Sequence, residues 1–185
     1  MRMENSNTFH QMRAVTRHIE GVPKEWQSTN DWDSHKPMLY LALEKIDGAV
    51  FEMGCGYGST LMLHNECKRM LRRFNSYETN KEWAKRFPNK TELIENYTHV
   101  YINPTIKEGS ILFIDCAPGE IRKELVQKNK NDFDIIIIHD TEPGADYVYH
   151  MSEILSTFKY RLDYQPEGKP HTTVASNFIN VASWI

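Results

Sequence analysis

VFEMGCGYG, residues 50–58, carries the strongest indication of the fold in this sequence. It begins as a short apolar strand that carries one acid, Glu52. The strand runs directly into three alternating glycines, Gly54, Gly56 and Gly58. Glycines at the first bend of a strand-to-helix unit let the backbone turn tightly, and they let a ligand lie against main chain that a Cβ would otherwise cover. The stretch therefore predicts a nucleotide-type binding loop, with a glycine-rich turn for some other ligand as the alternative.

The spacing of the glycines distinguishes two kinds of cofactor site. Dinucleotide sites have the pattern G-x-G-x-x-G, whose last glycine lies inside the following helix. Here the third glycine comes one position earlier, and it is followed by Ser59 and by a helix predicted over residues 60–73. The spacing therefore argues against a dinucleotide as the ligand.

A second acid, Glu78, ends the next predicted strand, which we expect to lie beside the first. A carboxylate about 20 residues after such glycines can accept both ribose hydroxyls of a nucleoside in one bidentate contact. The alternative for this region is helix capping, because residues 79–82 (TNKE) have the S/T-x-x-E form of a capping box and an acid is favoured near a helix start. We interpret Glu78 as a ribose-binding residue.

Composition restricts the classes of protein that fit. The chain has 185 residues, enough for one domain with a sizeable core, and its 22 basic and 25 acidic residues give a net charge of −3. Such a balance lacks the basic face of a nucleic-acid-binding protein. Three cysteines without C-x-x-C spacing and a polar N-terminus predict a reducing, cytoplasmic setting, and no segment is apolar enough for a membrane span. We expect a small cytoplasmic enzyme without nucleic-acid or membrane partners; the pattern predicts no oligomeric state.

Strands and helices alternate along the chain, which is typical of the α/β class. Two continuous apolar runs, residues 111–114 and 135–138, predict parallel strands that are covered on both faces. A further strand is predicted at 98–102, and the tail predicts an antiparallel hairpin from residues 158–164 and 172–179. Besides the helix after the glycines, helices are predicted over residues 34–46, 81–87, 118–130 and 145–157. The expected architecture is a Rossmann-like, doubly wound, mostly parallel sheet with a C-terminal antiparallel hairpin.

Acids follow both apolar runs, where ligands of open α/β sheets bind. The first run ends at Asp115, and the second ends at His139 and Asp140, with Glu142 two residues further on. Three carboxylates, those of Asp115, Asp140 and Glu142, predict a site for a hard divalent ion such as Mg²⁺. Alternatively, His139 or Asp140 removes a proton from an acceptor as a general base, or His139 is structural and bonds a neighbouring loop. The candidate catalytic residues are therefore Asp115, His139 and Asp140.

The E-x-G-x-G-x-G pattern, the ribose acid and the order of elements over residues 34–178 resemble the class I S-adenosylmethionine (SAM)-dependent methyltransferases. The segments APGE (117–120) and HDTE (139–142) resemble a bacterial or phage branch of that class. The resemblance implies the seven-stranded methyltransferase fold, SAM as the cofactor, and methyl transfer to a small-molecule or glycan acceptor, at oxygen. It implies that the cofactor is bound by Glu52, Gly54, Cys55, Gly56, Tyr57, Gly58, Ser59, Glu78 and Asp115.

Two features of the resemblance bear on the acceptor side. Magnesium-dependent O-methyltransferases of this class carry acids at the ends of the same two strands, but Thr141 stands here where Asn or Asp is usual in them. Residues 1–33 are predicted to be an N-terminal extension or lid on a methyltransferase domain of residues 34–185. Its aromatic residues, Trp26 and Trp32, together with His35, either cover the acceptor site or anchor the core.

Two other functions fit the same pattern less well. An NAD-type Rossmann oxidoreductase or epimerase predicts a third glycine one position later and a parallel last strand. A non-catalytic SAM-binding protein would keep the fold without the activity, because fold does not imply function.

Overall fold

Seven strands form one sheet in the computed structural model, which describes residues 19–102 and 109–185. The strands are β1 (Val50–Met53), β2 (Phe74–Glu78), β3 (Thr91–Leu93), β4 (Ile111–Ile114), β5 (Ile135–His139), β6 (Tyr160–Tyr164) and β7 (Thr172–Ser176). The helices of the same described ranges are α1 (Lys36–Lys45), α2 (Thr60–Arg69), α3 (Lys81–Ala84), α4 (Arg122–Asn129), α5 (Asp146–Tyr149) and α6 (Met151–Leu155). None of these helices has the length and apolar character needed to cross a bilayer.

The strands lie in the order β3-β2-β1-β4-β5-β7-β6. Strands β1 to β5 pair in parallel, and β7 inserts antiparallel between β5 and β6. The chain moves outward from β1 to β3 and then returns to β4, so the switch in strand order lies between β1 and β4. This order confirms the predicted doubly wound sheet and its antiparallel hairpin, and it places the ligand-binding crevice above the ends of β1 and β4.

Both faces of the sheet are buried, as the continuous apolar runs predict. Because successive side chains of a strand point to opposite faces, the two isoleucine-rich strands β4 and β5 contribute alternately to two core clusters. One cluster includes Ile111 and Ile137 and packs against α1 and α2. The other includes Leu112 and Ile136 and packs against α4 and α6. The sheet thus holds the strand ends rigidly, and the site residues follow directly after them.

Residues 19–33 pack onto the first core cluster through Ile19, Val22 and Trp26. The Trp26 ring lies 5.7 Å from that of Tyr40 on α1, so this tryptophan is a core anchor. Trp32, by contrast, is 85% exposed. The first 18 residues of the predicted N-terminal lid lie outside the described ranges, and the lid itself stays a prediction.

The strand predicted at residues 98–102 is wrong. The third strand is β3, which pairs with β2 through the register Ser76↔Thr91, and Tyr97–His99 is a short 3-10 helix. The side chain of Asn96 caps this helix by accepting a hydrogen bond from Thr98 N at 2.9 Å. A three-residue edge strand with partly exposed side chains carries no apolar period, so the sequence pattern could not reveal it.

Two predicted helices differ from the observed ones at residues with left-handed backbone. The helix after the glycines ends at Arg69, because Leu71 has a φ of +57° and Arg72 N donates to Cys67 O, the bond of a Schellman end. The helix predicted over 145–157 is two helices, α5 and α6, separated by His150 with a φ of +50°. Glycine or asparagine usually occupies such positions, and their absence hid both ends in the sequence.

Candidate functional site

The three glycines after β1 have three different roles. Gly54 has a φ of +94°, and a Cβ at this position would lie 2.5 Å from the backbone oxygen of Asp115. It therefore lets the ends of β1 and β4 approach closely. A Cβ on Gly58 would lie 2.6 Å from the backbone oxygen of Trp32, so this glycine admits the N-terminal segment. A Cβ on Gly56 would meet nothing nearer than Ser59 Oγ at 3.7 Å. Of the three, only Gly56 leaves room for a Cβ, which would make ordinary van der Waals contacts.

Glu52 holds the glycine loop from behind. Its carboxylate is fully buried and accepts hydrogen bonds from Ser59 Oγ at 2.5 Å and Thr60 Oγ1 at 2.9 Å. The backbone N–H of Gly56 donates to the same Thr60 hydroxyl at 2.8 Å. Burial raises the pKa of Glu52 to about 7, although hydrogen bonds from Ser59, Ser76 and Thr60 oppose the rise. The structure thus places Glu52 and Ser59 beneath the loop, where they hold its shape, and their contact with a cofactor stays a prediction.

Glu52 should make the stability of the protein depend on pH. Its pKa is higher in the folded protein, so between its ordinary value of 4.5 and about 7 the folded state retains a proton that the unfolded state releases. We expect the stabilisation that this proton gives to the folded state to fall by up to about 1.4 kcal/mol per pH unit in that range. The whole fall is on the order of 3 kcal/mol, and the stabilisation is absent above that range. Urea unfolding of wild type and Glu52→Gln at several pH values across this range measures the effect. The difference between their free energies of unfolding should change with pH. Glu92→Gln, at an exposed acid on β3, is the control; parallel curves for wild type and Glu52→Gln would contradict the prediction.

Glu78 joins the end of β2 to the glycine loop. Its Oε1 accepts hydrogen bonds from the backbone of Thr79 and Asn80, at 2.7 and 2.8 Å, and from Tyr97 OH at 3.1 Å. Its Oε2 accepts one from Cys55 N at 3.2 Å and a weak one from the Cys55 thiol at 3.6 Å. A carboxylate oxygen offers about two lone-pair sites, and a thiol is a weak donor that a ligand hydroxyl can replace, so Oε2 is the oxygen better able to accept from a ligand. A contact with both ribose hydroxyls would therefore centre on Oε2.

The alternative for this region, a capping box that begins at Thr79, is wrong. Asn80, and not Thr79, begins α3, because its side-chain oxygen accepts hydrogen bonds from Glu82 N and Trp83 N, each at 3.0 Å. Glu78 is thus left free of that role, although its bonds to two backbone N–H groups do tie it to the start of the helix.

An open cleft of about 670 Å³ lies over the carboxyl ends of β1, β2 and β4. Cys55, Glu78, Trp83 and Asp115 are among its lining residues. The indole N–H of Trp83 donates to the backbone oxygen of Cys55, which fixes one wall to the glycine loop. Tyr57, whose side chain is 61% exposed, packs edge-on against Trp83 outside this wall, with ring centroids 5.7 Å apart. The structure therefore brings Cys55, Glu78 and Asp115 together at one cavity, as predicted from the strand ends.

Arg122, which the sequence analysis did not single out, bridges the two acids that were predicted to bind Mg²⁺. Its Nη2 donates to Asp115 Oδ1 and its Nη1 to Asp140 Oδ2, both at 3.0 Å, and Nε donates to Cys116 O at 2.9 Å. An arginine in the first turn of a helix opposes the helix dipole, which is the signal that could have drawn attention to it.

The predicted set of Mg²⁺ ligands does not form. Glu142 Oε2 accepts a hydrogen bond from His171 N at 3.0 Å, away from the other two acids. Arg122 lies between Asp115 and Asp140 and bonds one oxygen of each, so a hard dication that bridged the two carboxylates would have to displace this guanidinium. These residues do not fit a magnesium centre.

His139 lies under the two acids with both ring nitrogens engaged. Nε2 is 2.7 Å from Ser34 Oγ, while Nδ1 is 3.3 Å from Asp115 Oδ1 and 3.2 Å from Asp140 Oδ1. Its side chain is only 5% exposed, whereas those of Asp115 and Asp140 are 24% and 23% exposed. The carboxylates, and not the imidazole, are therefore the groups that a bound acceptor could touch.

Burial and neighbouring charges give Asp115 and Asp140 different pKa values. Burial raises the pKa of Asp115, but the charges of His139 and Arg122 outweigh it and lower the pKa to about 2. The pKa of Asp140 is raised, because burial and the neighbouring Asp115 outweigh the same two cations. Burial lowers the pKa of His139, but the two acids outweigh it and raise that pKa. Asp140 is thus the more basic carboxylate, and it sits at a backbone φ of +57°.

The turn before α1 positions Ser34 and His35 beside Asp115 and His139. It is held by the buried carboxylate of Asp33, which accepts hydrogen bonds from Thr29 N at 2.8 Å and Asn30 N at 2.9 Å. Burial raises the pKa of Asp33, but these hydrogen bonds outweigh it and lower the pKa. The turn brings the His35 ring to 4.9 Å from that of His139 and its Nδ1 to 4.0 Å from Asp115 Oδ2.

Comparison with known proteins bears on the fold. No family model and no curated protein sequence matches this chain, but many solved structures do. A SAM-dependent O-methyltransferase from Thermotoga maritima matches with a TM-score of 0.56 and 10% identity over 78% of this chain, which spans 65% of that protein. This chain has the class I methyltransferase fold. Cofactor-bound Rv0187 from MTB matches with the same TM-score, at 11% identity over 86% of this chain and 85% of that one. A proposed O-methyltransferase from Klebsiella pneumoniae matches with a TM-score of 0.56, at 14% identity over 85% of this chain and 84% of the other.

Proposed function

We propose that this protein is a SAM-dependent methyltransferase that acts on a small-molecule or glycan acceptor, at oxygen. The observation that carries the proposal is the cleft over β1, β2 and β4, bordered by the glycine loop and by the Glu78 carboxylate. Its position at the switch in strand order is where ligands bind in open α/β sheets. The class I methyltransferase fold, with its antiparallel last strands, supports SAM over NAD as the cofactor.

The residues of the cleft fit SAM. Its volume of about 670 Å³ lies within the usual range for small-molecule sites. The loop has room for a Cβ at Gly56 and carries none there, so a ligand can lie against its bare backbone. Glu78 Oε2 retains acceptor capacity for a ribose hydroxyl, and Trp83 offers an aromatic wall. SAM supplies an already activated methyl group when it is bound.

Asp140 is the proposed proton acceptor. Asp140 would accept the proton of the acceptor hydroxyl, and bound SAM would supply the methyl group to that oxygen and leave as S-adenosylhomocysteine. The side chain is partly exposed and its pKa is raised, which are the properties a general base needs. Arg122 and His139 act as positioning residues, because each contacts both Asp140 and Asp115.

The first test of this function is cofactor binding. We expect S-adenosylhomocysteine to bind in a calorimetric titration and to raise the melting temperature by about 5–10 °C at 100 times its Kd, since binding of that excess stabilises by about 2.7 kcal/mol. Glu78→Gln should lose about 1.5–3 kcal/mol of this affinity, the range for a hydrogen bond to a charged group.

Two controls make that test specific. Tyr97→Phe removes one protein donor to Glu78 without touching Oε2, so it should change the affinity far less than Glu78→Gln does. NADH is the matched ligand for the oxidoreductase alternative. Binding of NADH in preference to S-adenosylhomocysteine, or no binding of the latter near millimolar concentration, would overturn the proposal. Binding without methyl transfer to a panel of small molecules, glycans, proteins and RNA would favour a non-catalytic SAM-binding protein.

A further inference from the structure

We infer that His35, Asp115 and His139 form a binding site for a divalent first-row transition-metal ion beneath Asp140, the proposed general base. This site is distinct from the magnesium site predicted from the sequence, because it uses two imidazoles and only one carboxylate. It does not depend on methyl transfer.

The three side chains converge on one point of the structure. One possible ligand atom from each lies within 4.8 Å of the other two. His35 Nδ1 is 4.0 Å from Asp115 Oδ2, and His139 Nδ1 is 3.3 Å from Asp115 Oδ1. Bonds of about 2.0–2.2 Å from zinc to nitrogen and oxygen place two ligands of one ion roughly 3–4 Å apart. The observed separations therefore need only small side-chain adjustments to hold an ion.

His35 is the independent observation that points to a ligand. Its side chain is 2% exposed, and Nδ1 has no hydrogen-bond partner among the described residues, whereas Nε2 lies against the Gly58 backbone, which can accept its proton. Nδ1 lies nearest to Asp115. A buried polar group without a partner costs about 1–3 kcal/mol. An ion bound to Nδ1 would remove that penalty.

The surroundings orient the other two ligands. Ser34 Oγ lies 2.7 Å from His139 Nε2 and can accept its proton, so Nδ1 can release its own proton to solvent and bind an ion in its place while the ring stays fixed. Metal-binding histidines are usually fixed in this way by a hydrogen bond at the second ring nitrogen. Arg122 bonds Asp115 Oδ1, which leaves Oδ2 on the side of His35.

The ligand set indicates the class of ion. Two imidazole nitrogens and one carboxylate suit zinc, iron, cobalt or nickel, whereas magnesium takes oxygen ligands. Three protein ligands also leave at least one coordination position open, as in catalytic zinc sites.

The test is a titration of the full-length, tag-free, metal-stripped protein with Zn²⁺, without SAM or acceptor. We expect about one equivalent of Zn²⁺ to bind per chain. When Co²⁺ replaces Zn²⁺, we expect the visible absorption spectrum of cobalt bound to nitrogen ligands. His35→Gln should abolish that spectrum and weaken Zn²⁺ binding by more than Ser34→Ala, whose loss should be about 10–100-fold. His99→Gln, at an exposed histidine outside the cluster, should bind as wild type does.

Thermal melting separates loss of the site from loss of the fold. Wild type should melt at a higher temperature with Zn²⁺ than without it, whereas folded His35→Gln should show no such shift. If His35→Gln does not fold, the folded Ser34→Ala variant decides, since it must bind more weakly than wild type. Absence of micromolar Zn²⁺ binding by wild type, or binding unchanged in His35→Gln or Ser34→Ala, would overturn the inference. Because no cofactor is present, either result leaves the proposed methyl transfer untouched.

Discussion

Gly56→Val is expected to weaken binding of S-adenosylhomocysteine by about 5- to 150-fold, since forcing extra carbons into a packed contact typically costs about 1–3 kcal/mol per site. The fold should remain, because a Cβ at Gly56 meets no protein atom nearer than 3.7 Å. We therefore expect a melting temperature within a few degrees of wild type, as for substitutions that make no new clash. Calorimetric titration and thermal melting of the purified variant measure the two quantities.

Gly58→Val is the matched control, two residues along the same loop. Its Cβ would lie 2.6 Å from the backbone oxygen of Trp32, so this variant should lose stability as the segment before α1 is displaced. An unchanged affinity in folded Gly56→Val would mean that this glycine serves only the turn, and the cofactor would then have to bind elsewhere.

The second large effect is expected at Asp140. Replacement by asparagine keeps the size of the side chain and an oxygen that can accept from Arg122, but it removes the carboxylate that takes the acceptor's proton. We expect kcat to fall by about 10²–10⁴, the usual contribution of a general base, with the affinity for S-adenosylhomocysteine unchanged. In wild type, turnover should rise with pH as Asp140 ionises, and Asp140→Asn should lose that dependence. Steady-state assays on the acceptor found in the panel measure both.

Asp134→Asn provides the control, because Asp134 lies at the opposite, amino end of β5 and should leave turnover intact. Full activity in Asp140→Asn combined with its loss in His139→Gln would transfer the role of base to the histidine. Activity in both variants would show that the acids and histidine at the end of β5 are structural.

Much of the fold follows from local patterns in the sequence. A tight turn explains the glycine run after β1, and burial of both strand faces explains the apolar runs of β4 and β5. The structure confirms these predictions. The hairpin of β6 and β7 was predicted in the same way, and so was the acid that ends β2. What failed was the third strand, since β3 is short and lies at the edge, and two helix ends where Leu71 and His150 adopt left-handed backbone without glycine.

The candidate site, too, could be predicted only in part from local patterns. The order of residues predicts that Glu78, Asp115, His139 and Asp140 follow strand ends, and therefore that they meet, because parallel strands deliver their carboxyl ends to one edge of the sheet. What these side chains contact depends on the folded chain as a whole. Ser34 bonds His139 across 105 positions of sequence, and Gly58 makes room for the turn that brings it there. A residue period encodes which face of an element is buried, but not which distant side chain meets it. The pairing of both acids with Arg122, and the burial of His35 beside them, therefore depend on strand order and close approach, which no local pattern records.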